Sequence, residues 1–481
     1  MNEFENKRAA VIGLARAGMP AARFLIERGA RVVGYDSKAR EAISPQILEL
    51  EAAGVELQLG DHNFVGIEKC DLVVLSPGLK VHFEPLKSVI ERVEASGGEV
   101  IGELELASRF CPCPMIGVTG TKGKSTTVKL ITEMLRACGI DAISAGNTGT
   151  PLISILPELG ASSCAVVEVS SFQLEKAPTF KPRVAALLSL LEDHQDYHPD
   201  LEQYWETKLK LFANQGEGDV AIFNVDDPRV EAMFVEFQTS ASKLDSSAQE
   251  GTKSNGHPWI KREGQFLKFT GAPSEQPFLK VEDIPIRGAH NLSNVAAALL
   301  AVEEALATIE DSNDSFEKLS IWNFQDKIAD AIRNFQTLPH RLEVVAQQDG
   351  VTYVNDSQST IPDASIAALR AFSAPVSLLL GGRAKIEAES YENLMRAVRD
   401  ANTKIYLFGE AAPMLEDVAH RENVENLYIF RENTLAEVLQ LAKMNAASGE
   451  TIVLSPACAS FDQFSSYEER GETFRRLARM L

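Results

Sequence analysis

The sequence is 481 residues long, 45 % hydrophobic and 24 % charged, with a formal net charge of -21. That length exceeds what one core organises, so two to four domains are expected, and the acidic balance argues against a nucleic-acid-binding surface because phosphates would be repelled. No apolar run reaches membrane-spanning length, the amino terminus has no signal-peptide core, and six scattered cysteines fit a reduced, cytoplasmic protein.

The first predicted layer spans residues 1–113. Short apolar strands begin at Ala9-Ala10-Val11-Ile12, recur at Leu72-Val73-Val74-Leu75 and end at Val100-Ile101-Gly102. Alternation of such strands with helical patterns indicates a parallel α/β layer. A degenerate glycine motif, Gly13-Leu14-Ala15-Arg16-Ala17-Gly18, follows the first strand, and Asp36 ends the next at the distance expected for a ribose-binding acid. Ala15 stands where a middle glycine would let a pyrophosphate approach, so NAD, another nucleotide and plain turn chemistry all remain open. Ser76-Pro77-Gly78 either closes the same pocket or is a turn. Cys111-Pro112-Cys113 is the one close cysteine pair and lacks the second pair of a zinc site. Pro112 and Pro114 mark a linker.

The second layer, 114–338, opens on the strand Met115-Ile116-Gly117-Val118 and runs into Thr119-Gly120-Thr121-Lys122-Gly123-Lys124-Ser125-Thr126. A glycine-rich turn between strand and helix presents backbone N–H groups and a helix N-terminus to phosphate. Lys124 is placed for the β/γ-phosphates and Ser125 for Mg²⁺, although Val118 occupies the position of the usual first glycine. Glu168 closes the strand Ala165–Val169, and a further strand leads into Glu192-Asp193-His194. Strand ends are where ligands sit in open α/β sheets. By residue type alone His194 is a capping or surface histidine or a ligand, and Lys208 is a solvated helix lysine that spacing does not separate from Lys210. The polar segment 239–257 reads as a surface loop, 291–309 as a long apolar helix, and the stretch up to Pro339 as a less regular connection.

The third layer, 339–481, shows four strands, at 377–380, 405–408, 427–430 and 451–454, separated by helical patterns as in a doubly wound sheet.

Taken in order, these segments resemble the Mur ligase family. The resemblance rests on the 119–126 loop, Gly146-Asn147-Thr148-Gly149, Glu168–Glu175, Glu192-Asp193-His194, His290–Asn294, Pro339-His340-Arg341, Asn355-Asp356-Ser357, Gly381–Lys385 and Ser455–Phe464 with Glu469-Arg470-Gly471. The last motifs point to its glutamate-adding branch. The resemblance implies three domains: a Rossmann-like amino-terminal layer, a central ATPase domain of the P-loop type and a Rossmann-like carboxy-terminal domain. It implies that Gly13, Arg16, Ala17, Gly18, Asp36, Ser37, Ser76, Gly78 and Asn147 face a UDP-linked substrate, UDP-N-acetylmuramoyl-L-alanine. ATP would meet Gly120, Thr121, Lys122, Gly123, Lys124, Ser125, Thr126, Asn291, Asn294, Arg341 and Asp356. Two Mg²⁺ sites would use Ser125, Glu168, His194 and Lys208, the lysine as a carbamate, so that Lys124, His194 and Lys208 form the catalytic set. Glutamate would lie among Thr360, Lys385, Ser460 and Tyr467, the last often Phe in the family.

The implied reaction passes the γ-phosphoryl of ATP to a carboxylate, and the amine of glutamate then displaces phosphate to leave an amide. Small-molecule substrates and a monomer are implied, with no nucleic-acid or membrane partner. A folylpolyglutamate-type ligase, an NAD-dependent dehydrogenase and a non-catalytic nucleotide-binding regulator are the competing readings. The family commonly has lysine where this chain has Gln358, which leaves D- and L-glutamate both open as the added residue.

Overall fold

The computed structural model of the chain describes residues 3–60, 63–193, 197–198, 200–250, 260–270, 277–286, 288–311, 319–336, 339–372, 375–429 and 434–481. Three sheets organise it. The first contains β1 (Arg8–Ile12), β2 (Arg31–Asp36), β3 (Glu56–Leu59), β4 (Leu72–Leu75) and β5 (Glu99–Gly102), all parallel in the order β3-β2-β1-β4-β5. Ala9 and Val11 join one apolar cluster while Ala10 and Ile12 join another, so β1 is buried on both faces, as a parallel strand flanked by crossover helices must be. The strand order reverses between β1 and β4. That reversal opens a crevice at the Gly13 turn and Ser76.

Among the described residues the second sheet has nine strands: β6 (Met115–Thr119), β7 (Asp141–Gly146), β8 (Ser163–Glu168), β9 (Val184–Leu187), β10 (Val220–Asn224), β11 (Ser242–Glu250), β12 (Ile260–Glu263), β13 (Phe266–Phe269) and β14 (Leu279–Lys280). Their order is β14-β13-β12-β11-β10-β9-β6-β8-β7, parallel except for the antiparallel run β12 to β14. The reversal here falls at β6, whose neighbours are β8 and β9, directly below the glycine-rich loop. β11 lies inside the segment expected to be a loop. Its serines are not solvated: Ser246 and Ser247 are fully buried, and Ser247 Oγ donates to Asp226 Oδ1 at 2.6 Å. Polar composition hid a strand whose side chains find internal partners; residues 251–257 of that segment lie outside the described set. The long helix appears as Ala289–Asp311, and a further helix, Gln325–Arg333, occupies part of the expected irregular connection.

The third sheet has six strands: β15 (Glu343–Gln348), β16 (Val351–Asn355), β17 (Val376–Gly381), β18 (Lys404–Phe408), β19 (Leu427–Ile429) and β20 (Thr451–Ala457). The order is β15-β16-β20-β17-β18-β19, with only β15 antiparallel to its neighbour. The four expected strands are β17 to β20, with Phe430 outside the described residues; β15 and β16 were additional.

By contacts the chain divides into two compact units, Met1–Lys280 with Asn294–Ile332, and Val281–Ser293 with Arg333–Leu481. The first two sheets therefore share one unit. No helix among the described residues is long and apolar enough to cross a membrane.

Candidate functional site

In the first unit the amino-terminal candidates converge at the crevice between β1 and β4. Asp36, at the end of β2, accepts the Leu14 N–H at 2.9 Å and the Lys38 N–H at 3.0 Å, so its carboxylate shapes the glycine turn. Ser76 Oγ donates to the Gly13 carbonyl at 2.5 Å, tying the end of β4 to that turn. Ala17 and Gly18 are buried where the helix Gly18–Glu27 begins, while Arg16, Ser37 and Gly78 are exposed. Arg16 reaches across to the second sheet, where Nη2 donates to the Asn147 carbonyl.

The phosphate-type loop leaves β6 at Thr119 and enters the helix Lys124–Ala137 through Gly123. Gly123 has φ +89°, and an added Cβ would sit 2.4 Å from Asn294 Oδ1, so both the left-handed turn and the close approach demand glycine. Thr121 N–H donates to the Ser189 carbonyl at 2.8 Å, and Ser189 Oγ accepts the Lys122 N–H at 2.9 Å, which braces the loop against the end of β9. Lys124 Nζ donates to the Gly120 carbonyl at 2.8 Å and to Thr121 O at 3.0 Å. Thr126 is buried in the first turn of the helix.

Lys208 is the less expected partner. It is 2 % exposed on the helix Leu201–Leu209, its ammonium lies over the Tyr204 ring at 4.4 Å, and it donates to the same Gly120 carbonyl at 3.2 Å. Burial first, then the charge of Lys124, push this amine well below the ordinary lysine value, with Asp193 pulling the other way. Both lysines thus meet on one carbonyl, and burial disfavours the charged form of Lys208.

Glu168, 3 % exposed at the end of β8, accepts from Asn147 Nδ2 at 3.0 Å and from Thr148 Oγ1 at 2.8 Å. Burial raises its carboxyl, but Lys124 and the hydrogen bonds from Ser125, Asn147 and Thr148 outweigh that and leave it below its ordinary value. A carboxylate beside a serine hydroxyl is a hard oxygen pair of the kind Mg²⁺ takes. His194 lies outside the described residues. Ser189 and Tyr204 were not singled out from sequence, and Thr148 was named only within its motif; Tyr204 sits four residues before Lys208 on one helix face, the signal that could have found it.

The second unit holds the remaining candidates. Asn291 is buried in the first turn of Ala289–Asp311, beside the exposed His290. Arg341 Nε donates to Gln358 Oε1 at 2.5 Å. Asp356 is buried, accepts from Ser455 Oγ at 2.8 Å and from Leu342 N–H at 3.2 Å, and burial raises it to about 6. Lys385 Nζ donates to Thr360 Oγ1 at 3.0 Å, while Ser460 is buried and Tyr467 begins the last helix, Tyr467–Met480. Asn294 belongs to the first unit, at Gly123.

Three family descriptions match in order: "Mur ligase MurD-like, N-terminal domain" over residues 7–102, "Mur ligase middle domain" over 118–302 and "Mur ligase, glutamate ligase domain" over 340–458. The chain is 36 % identical over 479 residues to the UDP-N-acetylmuramoylalanine--D-glutamate ligase of Pelotomaculum thermopropionicum, covering 99 % of this chain and 98 % of that one. It is 35 % identical over 480 residues to the protein of the same name from Koribacter versatilis, covering 100 % and 98 %. Among solved structures, a pseudomurein peptide ligase type C from Methanothermus fervidus aligns with a TM-score of 0.58 at 17 % identity, covering 99 % and 100 %. The UDP-N-acetylmuramate-alanine ligase MurC from Thermotoga maritima aligns at 0.57 and 15 %, with the same coverage; both likenesses concern the fold. With the whole length matched in order, and the phosphate-type loop, Glu168 and Lys208 gathered at one strand reversal, the chain belongs to the Mur ligase family.

Proposed function

We propose that this chain is the cytoplasmic ligase that joins D-glutamate to UDP-N-acetylmuramoyl-L-alanine with ATP, releasing ADP and phosphate, in peptidoglycan precursor synthesis. The observation that carries the reading is the meeting of Lys124 and buried Lys208 on the Gly120 carbonyl, with Lys124 also acting on Glu168. The name shared by the full-length relatives supports the substrates.

Residues 1–113 bind the UDP-linked substrate, 114–338 bind ATP, and 339–481 bind glutamate, in a chain that works as a monomer. Asp36, Ser76 and the Gly13 turn receive the uridine end. An oxygen of the alanine carboxylate attacks the γ-phosphorus, the bond to the bridging oxygen of ADP breaks, and Lys124 balances charge on the phosphoryl oxygens. The glutamate amine then attacks the acyl carbon and phosphate leaves, with Thr360, Lys385, Ser460 and Tyr467 orienting the amino acid.

Ser125 and Glu168 would hold one Mg²⁺, which would neutralise phosphate charge there. Lys208 fits carbamylation: only a neutral amine adds to carbon dioxide, and burial lowers this one well below the ordinary lysine value, in the direction of that form. The carbamate would be an anionic oxygen donor, and with His194 it would hold a second Mg²⁺. Gln358 Oε1 accepts from Arg341 Nε, and Thr360, Lys385 and Ser460 are all present, so the reading keeps D-glutamate.

The deciding experiment supplies the UDP substrate, ATP and each glutamate enantiomer to purified protein and weighs the product. Addition of one D-glutamate is expected. Predominant L-glutamate incorporation would overturn the chirality, and no incorporation of either would overturn the function.

A further inference from the structure

The helix Tyr467–Met480 carries a residue that none of the proposed ligand sets uses. Arg470 is fully buried, at 0 % exposure. Its Nε donates to Ser357 Oγ at 2.9 Å and its Nη2 to Ser357 O at 2.8 Å, while Nη1 donates to Cys458 O at 3.1 Å and more weakly to Gly381 O at 3.5 Å. Each of these segments leads within four residues to a candidate for the amino-acid site: Ser357 to Thr360, Gly381 to Lys385, Cys458 to Ser460. The fourth candidate, Tyr467, lies one turn before Arg470 on its own helix, and Ser357 Oγ donates to the Tyr467 carbonyl at 2.8 Å.

The next residue keeps the helix close. A Cβ on Gly471 would fall 2.1 Å from His340 Nδ1, and Asn355 Nδ2 donates to the Gly471 carbonyl at 3.2 Å. A planar guanidinium offers five donors in a rigid fork, which a lysine cannot reproduce. All of its acceptors here are a hydroxyl or backbone carbonyls. Asp462 attracts it electrostatically but spends Oδ2 on the Glu410 N–H at 3.0 Å. Burial lowers the guanidinium to about 10, which leaves it charged at neutral pH. A buried cation held by neutral groups is expensive to desolvate, and a mere brace could be made from neutral side chains.

Resting on the proposed glutamate site, we infer that Arg470 is its positioning residue: it gathers the Thr360, Lys385, Ser460 and Tyr467 segments and lends them positive potential matched to a dicarboxylate amino acid.

The test measures steady-state kinetics for all three substrates, with melting temperature, in the parent, Arg470→Lys and Arg470→Met. Arg470→Met should raise the glutamate KM at least about tenfold and leave those for ATP and the UDP substrate within about twofold. Arg470→Lys should recover part of that loss, since it keeps the charge but not the fork. A glutamate KM within about twofold of the parent, or equal rises for all three substrates, overturns the inference. Should the methionine variant fail to fold, the same selective rise must appear in the lysine variant, or the inference fails. A parent that ligates no glutamate overturns the proposed substrate as well; a parent that does, with unselective variants, overturns this inference alone.

Discussion

Two glycine-rich turns in this chain each end a parallel strand at a strand reversal and open a helix, yet they are wired oppositely. At Gly13–Gly18 a carboxylate, Asp36, occupies a turn N–H, Ser76 pins the Gly13 carbonyl, and the cation Arg16 points away to Asn147. At Gly120–Ser125 two lysines close on the Gly120 carbonyl. The shared shape provides a place to bind; the side chains around it decide what. An acid at the turn suits hydroxyl groups such as those of a ribose, whereas the Lys124 cation at the second turn suits a phosphoryl group gaining charge in transfer.

Removing the cation from the second turn should break the contrast most severely. Lys124→Ala is expected to cut phosphoryl transfer by about 10²–10³-fold or more, the cost of losing one preorganised charge-stabilising group. Single-turnover release of ADP measures it, and turnover within a few-fold of the parent would remove Lys124 from the chemistry.

Lys208→Ala should cost nearly as much, on the order of 10²-fold, if its carbamate supplies oxygen to a metal. Formate or acetate should restore part of the activity, and depletion of bicarbonate should lower that of the parent. A fully active alanine variant indifferent to bicarbonate would refute the role.

The first turn should answer through one substrate only. Asp36→Ala is expected to raise the KM for the UDP substrate by about tenfold with that for ATP nearly unchanged. Equal shifts in both would erase the distinction between the turns.

The smallest effect on turnover should come from Glu103, just after β5. It is fully buried, accepts the Ile153 N–H at 2.8 Å through Oε1, and burial raises its carboxyl to about 7. A carboxyl raised above its unfolded value keeps its proton longer when folded, so its penalty is absent at low pH. The folded state should lose stability on the order of 1–3 kcal/mol as pH climbs from about 4.5 to about 7. Denaturant midpoints across that window should fall in the parent and flatten in Glu103→Gln; parallel curves would show that another group titrates.

The parallel layers and both turns were legible because their strands are continuous apolar runs bounded by glycine. β11 was not, since Ser, Lys and Asp dominate it and only burial of Leu244 through Ala248 reveals a strand. The helix Gln325–Arg333 does carry a signal, with Ile328, Ala329 and Ile332 spaced along one face, but polar residues between them mask it. In the candidate site, sequence could name Lys124 from its loop. It could not separate Lys208 from Lys210 by charge, although Tyr204, Lys208 and Leu211 share a buried face while Lys210 is exposed. Asp356 and Arg470 are polar letters in a sequence; their weight comes from being buried, which only tertiary contact decides.

The borders of the three sheets bear on how the protein behaves at high concentration. Among the described residues, four of the six border strands, β3, β5, β14 and β19, have four residues or fewer, and β14 has two. A fifth, β15, carries a register break between Val344 and Ala346. Short or irregular borders present few unpaired backbone groups in line, so a second copy finds little to zip onto. Among the described residues even the nine-stranded sheet therefore sets a two-residue border at β14 against six residues at β7.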